Sequence, residues 1–207
     1  TWTDTLDGNG TLVASGNVNV NVPGTYTLTY SKTDAAGNIA DQVIRTVTIA
    51  DTTPLVISLN GSVAVTHEAA TSYIDAGATW TDAVDGNGTV EANGTVNANG
   101  PGTYYLSFDA TDAAGNVAAT VTRTVTVTDS TKPVITLTGD ATVTHEAATA
   151  YTDAGAAWTD TLDGHGTLVA VGSVNEKYPR AYVLSYDFTD AAGNAADQVT
   201  RTVTVVD

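Results

Sequence analysis

Carboxylates recur in this sequence at fixed phases. Asp82 and Asp85 stand in the stretch TDAVDGNG, and Asp4 with Asp7, and Asp160 with Asp163, hold the same places in related stretches. Asp34, Asp112 and Asp190 are the second residues of three copies of TDAAGN. Asp51, Asp129 and Asp207 form a third set, and Glu68 and Glu146 a fourth. Hard oxygen ligands in such numbers suit Ca²⁺, which takes 6–8 oxygens. The sequence offers no EF-hand, because the twelfth position is Asn93 counted from Asp82 and Val96 counted from Asp85, and neither is Glu. Asp-Gly and Asn-Gly are also turn signals, so the same carboxylates have a second reading as solvated loop residues. Other chemistry is poorly represented. HEAAT, at 67–71 and 145–149, lacks the second His of H-E-x-x-H and ends a strand-like run. Ser never stands in G-x-S-x-G, and Cys is absent. No enzymatic activity is expected.

The interval between equivalent carboxylates is 78 residues, and other landmarks keep it: Trp2, Trp80 and Trp158; Arg45, Arg123 and Arg201; His67-Glu68 and His145-Glu146. The chain is therefore an array of repeats. Residues 52–129 and 130–207 are whole copies. Residues 1–51 are a partial copy lacking its first strands, because Thr1 aligns with Thr79, and the natural protein is expected to continue upstream. A unit of this size buries only about 60–65% of its unfolded surface, so it needs help from disulfides, metals or neighbours. Without Cys, metals and neighbouring repeats remain.

Seven basic residues face 23 acidic ones, a net charge of −16. Nucleic acid and anionic membranes are poor partners for such a surface, and a cation is a good one. High acidity fits an extracellular setting. No apolar run is long enough to span a bilayer.

The elements that must position these residues are strands. VTRTVTVT, at 121–128, alternates with period two, as does TYYLSF at 103–108. LVISL at 55–59, VAVTH at 63–67 and TLVAV at 167–171 add strands, and Ile74, Ala76, Ala78 and Trp80 share a face in another. No stretch shows helical spacing. About seven short strands per repeat predict an all-β fold of tandem β-sandwiches. TDAAGN reads as the hairpin tip between the last two strands, Asp starting the turn and Gly supplying the left-handed position. Arg123 breaks the Val face of its strand, so it marks a bulge or pairs with a buried carboxylate. Trp80 reads as core, with a sugar platform as the alternative.

PVITLTGDATVTHEAATAYTDAGAAWTDTLDG, followed by AYVLSYDFTDAAGN and RTVTVVD, resembles the bacterial surface Ig-like repeat. Hyalin-type repeats, the Ig-like repeats of giant adhesins and the Ig-like modules of crystal toxins are related to it. The resemblance implies tandem immunoglobulin-like sandwiches of 78 residues. In that topology the Asp82/Asp85 loop and the Asp112 hairpin lie at the N-terminal end, beside Asp51, while Glu68 lies at the opposite end, near Asp129. Each junction then gathers a Glu, a linker Asp and two loop Asp residues. By resemblance to adhesin and cadherin-like arrays, Ca²⁺ is expected there, held by Asp4, Asp7, Asp34, Asp51, Glu68, Asp82, Asp85, Asp112, Asp129, Glu146, Asp160, Asp163 and Asp190. The role implied is a non-enzymatic structural stalk of a bacterial cell-surface or secreted adhesin, an extended rod whose partners are neighbouring repeats of the same protein. Other copies of the chain, or a ligand on a host or biofilm surface, are further expected partners. Two alternatives stand: a subunit of an extracellular filament that exchanges strands, and an accessory carbohydrate-binding module of a secreted hydrolase.

Overall fold

A computed structural model describes residues 1–207. Sixteen strands follow one another without a helix: β1 (Trp2–Asp4), β2 (Gly8–Gly10), β3 (Gly24–Tyr30), β4 (Val43–Ile49), β5 (Val56–Leu59), β6 (Ala64–Glu68), β7 (Ala78–Asp82), β8 (Gly86–Val90), β9 (Gly102–Phe108), β10 (Val121–Thr128), β11 (Val134–Leu137), β12 (Thr142–Glu146), β13 (Ala156–Asp160), β14 (Gly164–Leu168), β15 (Ala181–Tyr186) and β16 (Val199–Val206). The fold is all-β, as the alternating runs predict.

The chain packs as two compact units. The first comprises Thr1–Gly61, Ala76–Asn93 and Ser107–Thr122. It holds the pairs β1-β2 and β3-β4 and the sheet β5-β7-β8. Trp80 faces Gly88 across β7 and β8. The indole lies so close to that glycine that a Cβ there would sit 2.7 Å from the ring. Trp80 is thus half-buried on its neighbour strand. Arg45, on β4, is exposed and lies over the Tyr30 ring at 5.7 Å.

The second unit comprises Ser62–Asp75, Gly94–Leu106 and Arg123–Asp207. Its third-repeat sandwich, residues 130–207, has two sheets, β11-β13-β14 and β12-β16-β15. Alternation explains the core. Arg201, Val203 and Val205 on β16 are buried, and so are Tyr182, Leu184 and Tyr186 on β15. Ile135, Ala156 and Tyr186 bring the two sheets together, and Trp158, Leu168 and Phe188 pack against them. The Trp158 and Phe188 rings stack with centroids 3.9 Å apart. β12 runs parallel to β16, pairing Glu146 with Val206, whereas β15 is antiparallel to it. β6 and β10 repeat the parallel arrangement, pairing Glu68 with Thr128. That register carries Glu68 to the start of the following linker.

The two readings of Arg123 resolve in favour of an ion pair. Its Nη1 donates to Asp75 at 2.5 Å and its Nε to the Ser62 carbonyl at 3.0 Å. Arg201, 1% exposed, pairs with Asp153 in the same way. It also reaches the Tyr186 hydroxyl at 3.1 Å and the Asp140 carbonyl at 2.9 Å. Burial would raise the Asp153 carboxyl, but hydrogen bonds from Tyr186 and Arg201 outweigh it and hold the group below its usual range. The strand expected to begin at Ile74 begins only at Ala78. Ile74 is 87% exposed because the chain turns at Gly77, whose φ of +73° follows Asp75 as it meets Arg123.

Candidate metal centre

Three kinds of carboxylate build each site, and they do different work. In the β7–β8 loop the Asp82 Oδ1 accepts the Val84 N–H at 2.6 Å and the Asp85 N–H at 3.0 Å. This is an Asx turn, the local hydrogen bonding that a short acidic side chain favours. Asp160 does the same for Leu162 and Asp163, and Asp4 for Leu6 and Asp7. The turn presents the second Asp. Its Oδ2 crosses to the TDAAGN hairpin: Asp85 accepts the Ala113 N–H at 3.2 Å, Asp163 that of Ala191 at 2.7 Å, and Asp7 that of Ala35 at 2.8 Å.

The hairpin supplies the second carboxylate. Asp112 accepts the Asn116 backbone N–H and its Nδ2, both at 2.7 Å. The Asn116 Nδ2 also donates to the Asp51 carbonyl at 3.3 Å, tying the linker to the hairpin. Asp190, Asn194 and the Asp129 carbonyl repeat this arrangement. Burial opposes ionisation of Asp112 and Asp190, yet the bonds from their Asn partners hold both carboxyls below the usual range. Both are about nine-tenths buried.

The linker supplies the third. Asp51 Oδ1 accepts the Thr53 N–H at 3.1 Å, and Asp129 Oδ1 that of Thr131 at 3.2 Å. Their Oδ2 atoms are buried and accept no hydrogen bond, and the same is true of Asp160 Oδ2. Carboxylate oxygens of Asp51, Asp85 and Asp112 lie within 4.8 Å of one another, and so do those of Asp129, Asp163 and Asp190. No Lys or Arg pairs with either cluster; the ion pairs are Arg123–Asp75, Lys132–Asp197 and Arg201–Asp153. Burial pushes the Asp129 carboxyl up, and the charges of Asp160, Asp190 and Glu68 push it further. Three converging carboxylates with buried, unpartnered oxygen are the donor set of a hard divalent cation. The residues present fit Ca²⁺.

Six of the sequence-expected ligands come together in these two clusters. Asp82 and Asp160 shape the loops beside them, and Asp4 does so in the first copy. Asp7 and Asp34 reach the same loop–hairpin arrangement through Ala35 and Asn38, without a third carboxylate. Glu68 does not join a cluster. Its oxygens accept the Ser130 N–H at 2.9 Å, the Ser130 hydroxyl at 2.6 Å and the Thr131 hydroxyl at 2.8 Å. Those bonds, that of the Ser130 hydroxyl foremost, lower its carboxyl to about 2. Glu146 ends β12, exposed and outside both clusters. Sequence reasoning missed Asn116 and Asn194, although the constancy of Asn in TDAAGN was the available signal. His67 and His145 hold turns, each with its Nε2 3.0 Å from a Thr carbonyl, at Thr71 and Thr149.

The family model described as the Ig-like domain of bacterial surface proteins matches residues 2–49, 57–127 and 135–205. The chain belongs to this family. The Ig-like domains of such surface proteins are typically non-catalytic. No curated protein matches the chain. Among solved structures, it is similar to the lipoprotein BT2262 of Bacteroides thetaiotaomicron, with 13% identity, a TM-score of 0.32, and coverage of 71% of this chain and 80% of that one. It is also similar to the M60 catalytic domain with CBM51-1 and CBM51-2 domains of Clostridium perfringens ZmpB. There the identity is 15% and the TM-score 0.31, covering 95% of this chain and 28% of that one. Likenesses this distant carry no functional argument.

Proposed function

We propose that this chain is a non-enzymatic stalk segment of a bacterial cell-surface or secreted adhesin, its linkers stiffened by Ca²⁺. The observation that supports the reading is the pair of carboxylate clusters at Asp51 and Asp129, each with a buried oxygen that no donor meets. Asp51, Asp85 and Asp112 would hold one ion, and Asp129, Asp163 and Asp190 the other. The ion supplies two positive charges where three carboxylates converge. The protein residues do the rest: Asn116 and Asn194 fix the linker carbonyls, and Asp82 and Asp160 fix the loops. Each linker is thereby fastened to two loops of the repeat that follows it.

Melting with and without chelator tests the reading. A site with a Kd near ~0.1 mM in ~10 mM Ca²⁺ stabilises its fold by about 2.7 kcal/mol. Calorimetry should also count two ions per chain. An unchanged midpoint together with no binding heat removes calcium from the account.

A further inference from the structure

We infer that Glu68 is a positioning residue for the cation at Asp129, Asp163 and Asp190. The inference rests on the calcium reading above. Glu68 grips both residues that follow Asp129, through the Ser130 N–H and hydroxyl and the Thr131 hydroxyl. Asn194 holds the Asp129 carbonyl from the other side, and the Thr131 N–H holds its Oδ1. The remaining oxygen, Oδ2, is left buried without a partner. The linker is therefore set in its ligating geometry before any ion arrives.

The Asp51 linker carries the same three-carboxylate cluster, with Asn116 on the Asp51 carbonyl and the Thr53 N–H on Asp51 Oδ1, and serves as the internal comparison. Partners such as Glu68, which orient ligands without touching the metal, change affinity by about 10–100-fold when removed.

A Ca²⁺ titration of the 207-residue chain reads both sites at once. The Ala113 amide donates to Asp85 and the Ala191 amide to Asp163, so their NMR shifts report one site each. Glu68→Ala should raise the Ala191 midpoint by about ten-fold and leave that of Ala113 unmoved. The double variant Ser130→Ala/Thr131→Val keeps the Glu68 charge and removes its hydroxyl donors, and it should shift the Ala191 midpoint in the same direction. An Ala191 midpoint that Glu68→Ala leaves unmoved overturns the inference. So does a Glu68→Ala effect that the double variant does not share, since Glu68 would then act as a ligand or by its charge alone. If neither amide responds, the calcium reading falls and this inference falls with it. A Ser130 amide that exchanges slowly in the metal-free wild type and fast in Glu68→Ala would show, in that case, that the clasp is real and serves another end.

Discussion

Replacing Asp129 with Asn should stabilise the metal-free protein and destabilise the calcium-loaded one. Oxygens of Asp129, Asp163 and Asp190 lie within 4.8 Å of one another with no basic side chain paired to them. Two unit charges at that distance repel by about 0.9 kcal/mol at the dielectric constant of water, and by about 3.5 kcal/mol at an effective value of 20. Asp129 takes part in two of the three pairs, so Asp129→Asn relieves about 2 kcal/mol even at the lower bound. The amide oxygen can still accept the Thr131 N–H that Asp129 accepts now. Asp190 is held ionised by Asn194, whereas burial and neighbouring charges raise the Asp129 carboxyl, so Asp129 is where the strain resides. A raised folded-state pKa means that the ionised group destabilises the fold at neutral pH, and that the penalty fades as pH falls toward the unfolded value. The advantage of the variant in chelator should therefore shrink between neutral pH and about 4. In calcium at 100 times Kd the wild type gains about 2.7 kcal/mol at each site, and the variant forfeits most of that gain at this one. The order of stability should reverse. Calorimetry in chelator and in calcium, with amide exchange in β16 to read the third repeat by itself, measures both halves. A variant less stable than wild type in chelator, or one that gains as much from calcium, would refute the reasoning.

Three further outcomes are expected. Arg201→Ala strands the half-buried Asp153 carboxylate and should cost about 3–5 kcal/mol. Exchange rates in β15–β16 measure the loss. Gly166→Ala puts a methyl group 2.6 Å from the Trp158 Nε1. The indole must then lift from its stack on Phe188, at a cost of about 1–3 kcal/mol, with a change in tryptophan fluorescence as the accompanying sign. Glu68, lowered from 4.5 to about 2, should remain ionised at pH 3. A depressed folded-state pKa stabilises the fold above the unfolded value, so the contribution of the clasp should fade only between pH 4.5 and 2; the Glu68 carboxyl carbon shift follows it directly.

The strands were legible because alternation is a local signal. VTRTVTVV buries Arg201, Val203 and Val205 and leaves the residues between them half-buried or exposed, so even the irregular Arg201 follows the register. Ile74 shows the limit. Its apolar side chain continues the pattern of Ala76, Ala78 and Trp80, and nothing nearby in sequence contradicts that. What overrides it is a contact 48 residues away, Asp75 with Arg123, which fixes the chain ahead of Gly77 and leaves Ile74 in solvent. A buried guanidinium without its carboxylate costs several kcal/mol, more than an exposed Ile forfeits, so the long-range pair decides the local geometry.

The site was legible in its residues and not in their division of labour. Asp82 and Asp85 look equivalent in TDAVDG, yet an Asp whose Oδ1 closes a turn over the next three residues has one oxygen committed to that turn. The spacing of two acidic residues three apart encodes that turn as well as a ligand. Glu68 looked like a ligand because β6 delivers it beside Asp129. At that point the linker offers it an N–H and two hydroxyls. Asp129 sits one residue earlier with a single N–H at hand, and it is surrounded by Asp160, Asp190 and Glu68. Asp129 keeps a buried oxygen that no donor meets and has like charge on several sides. A cation relieves both at once, and that makes the linker, more than the loops, the place where calcium would act on the fold.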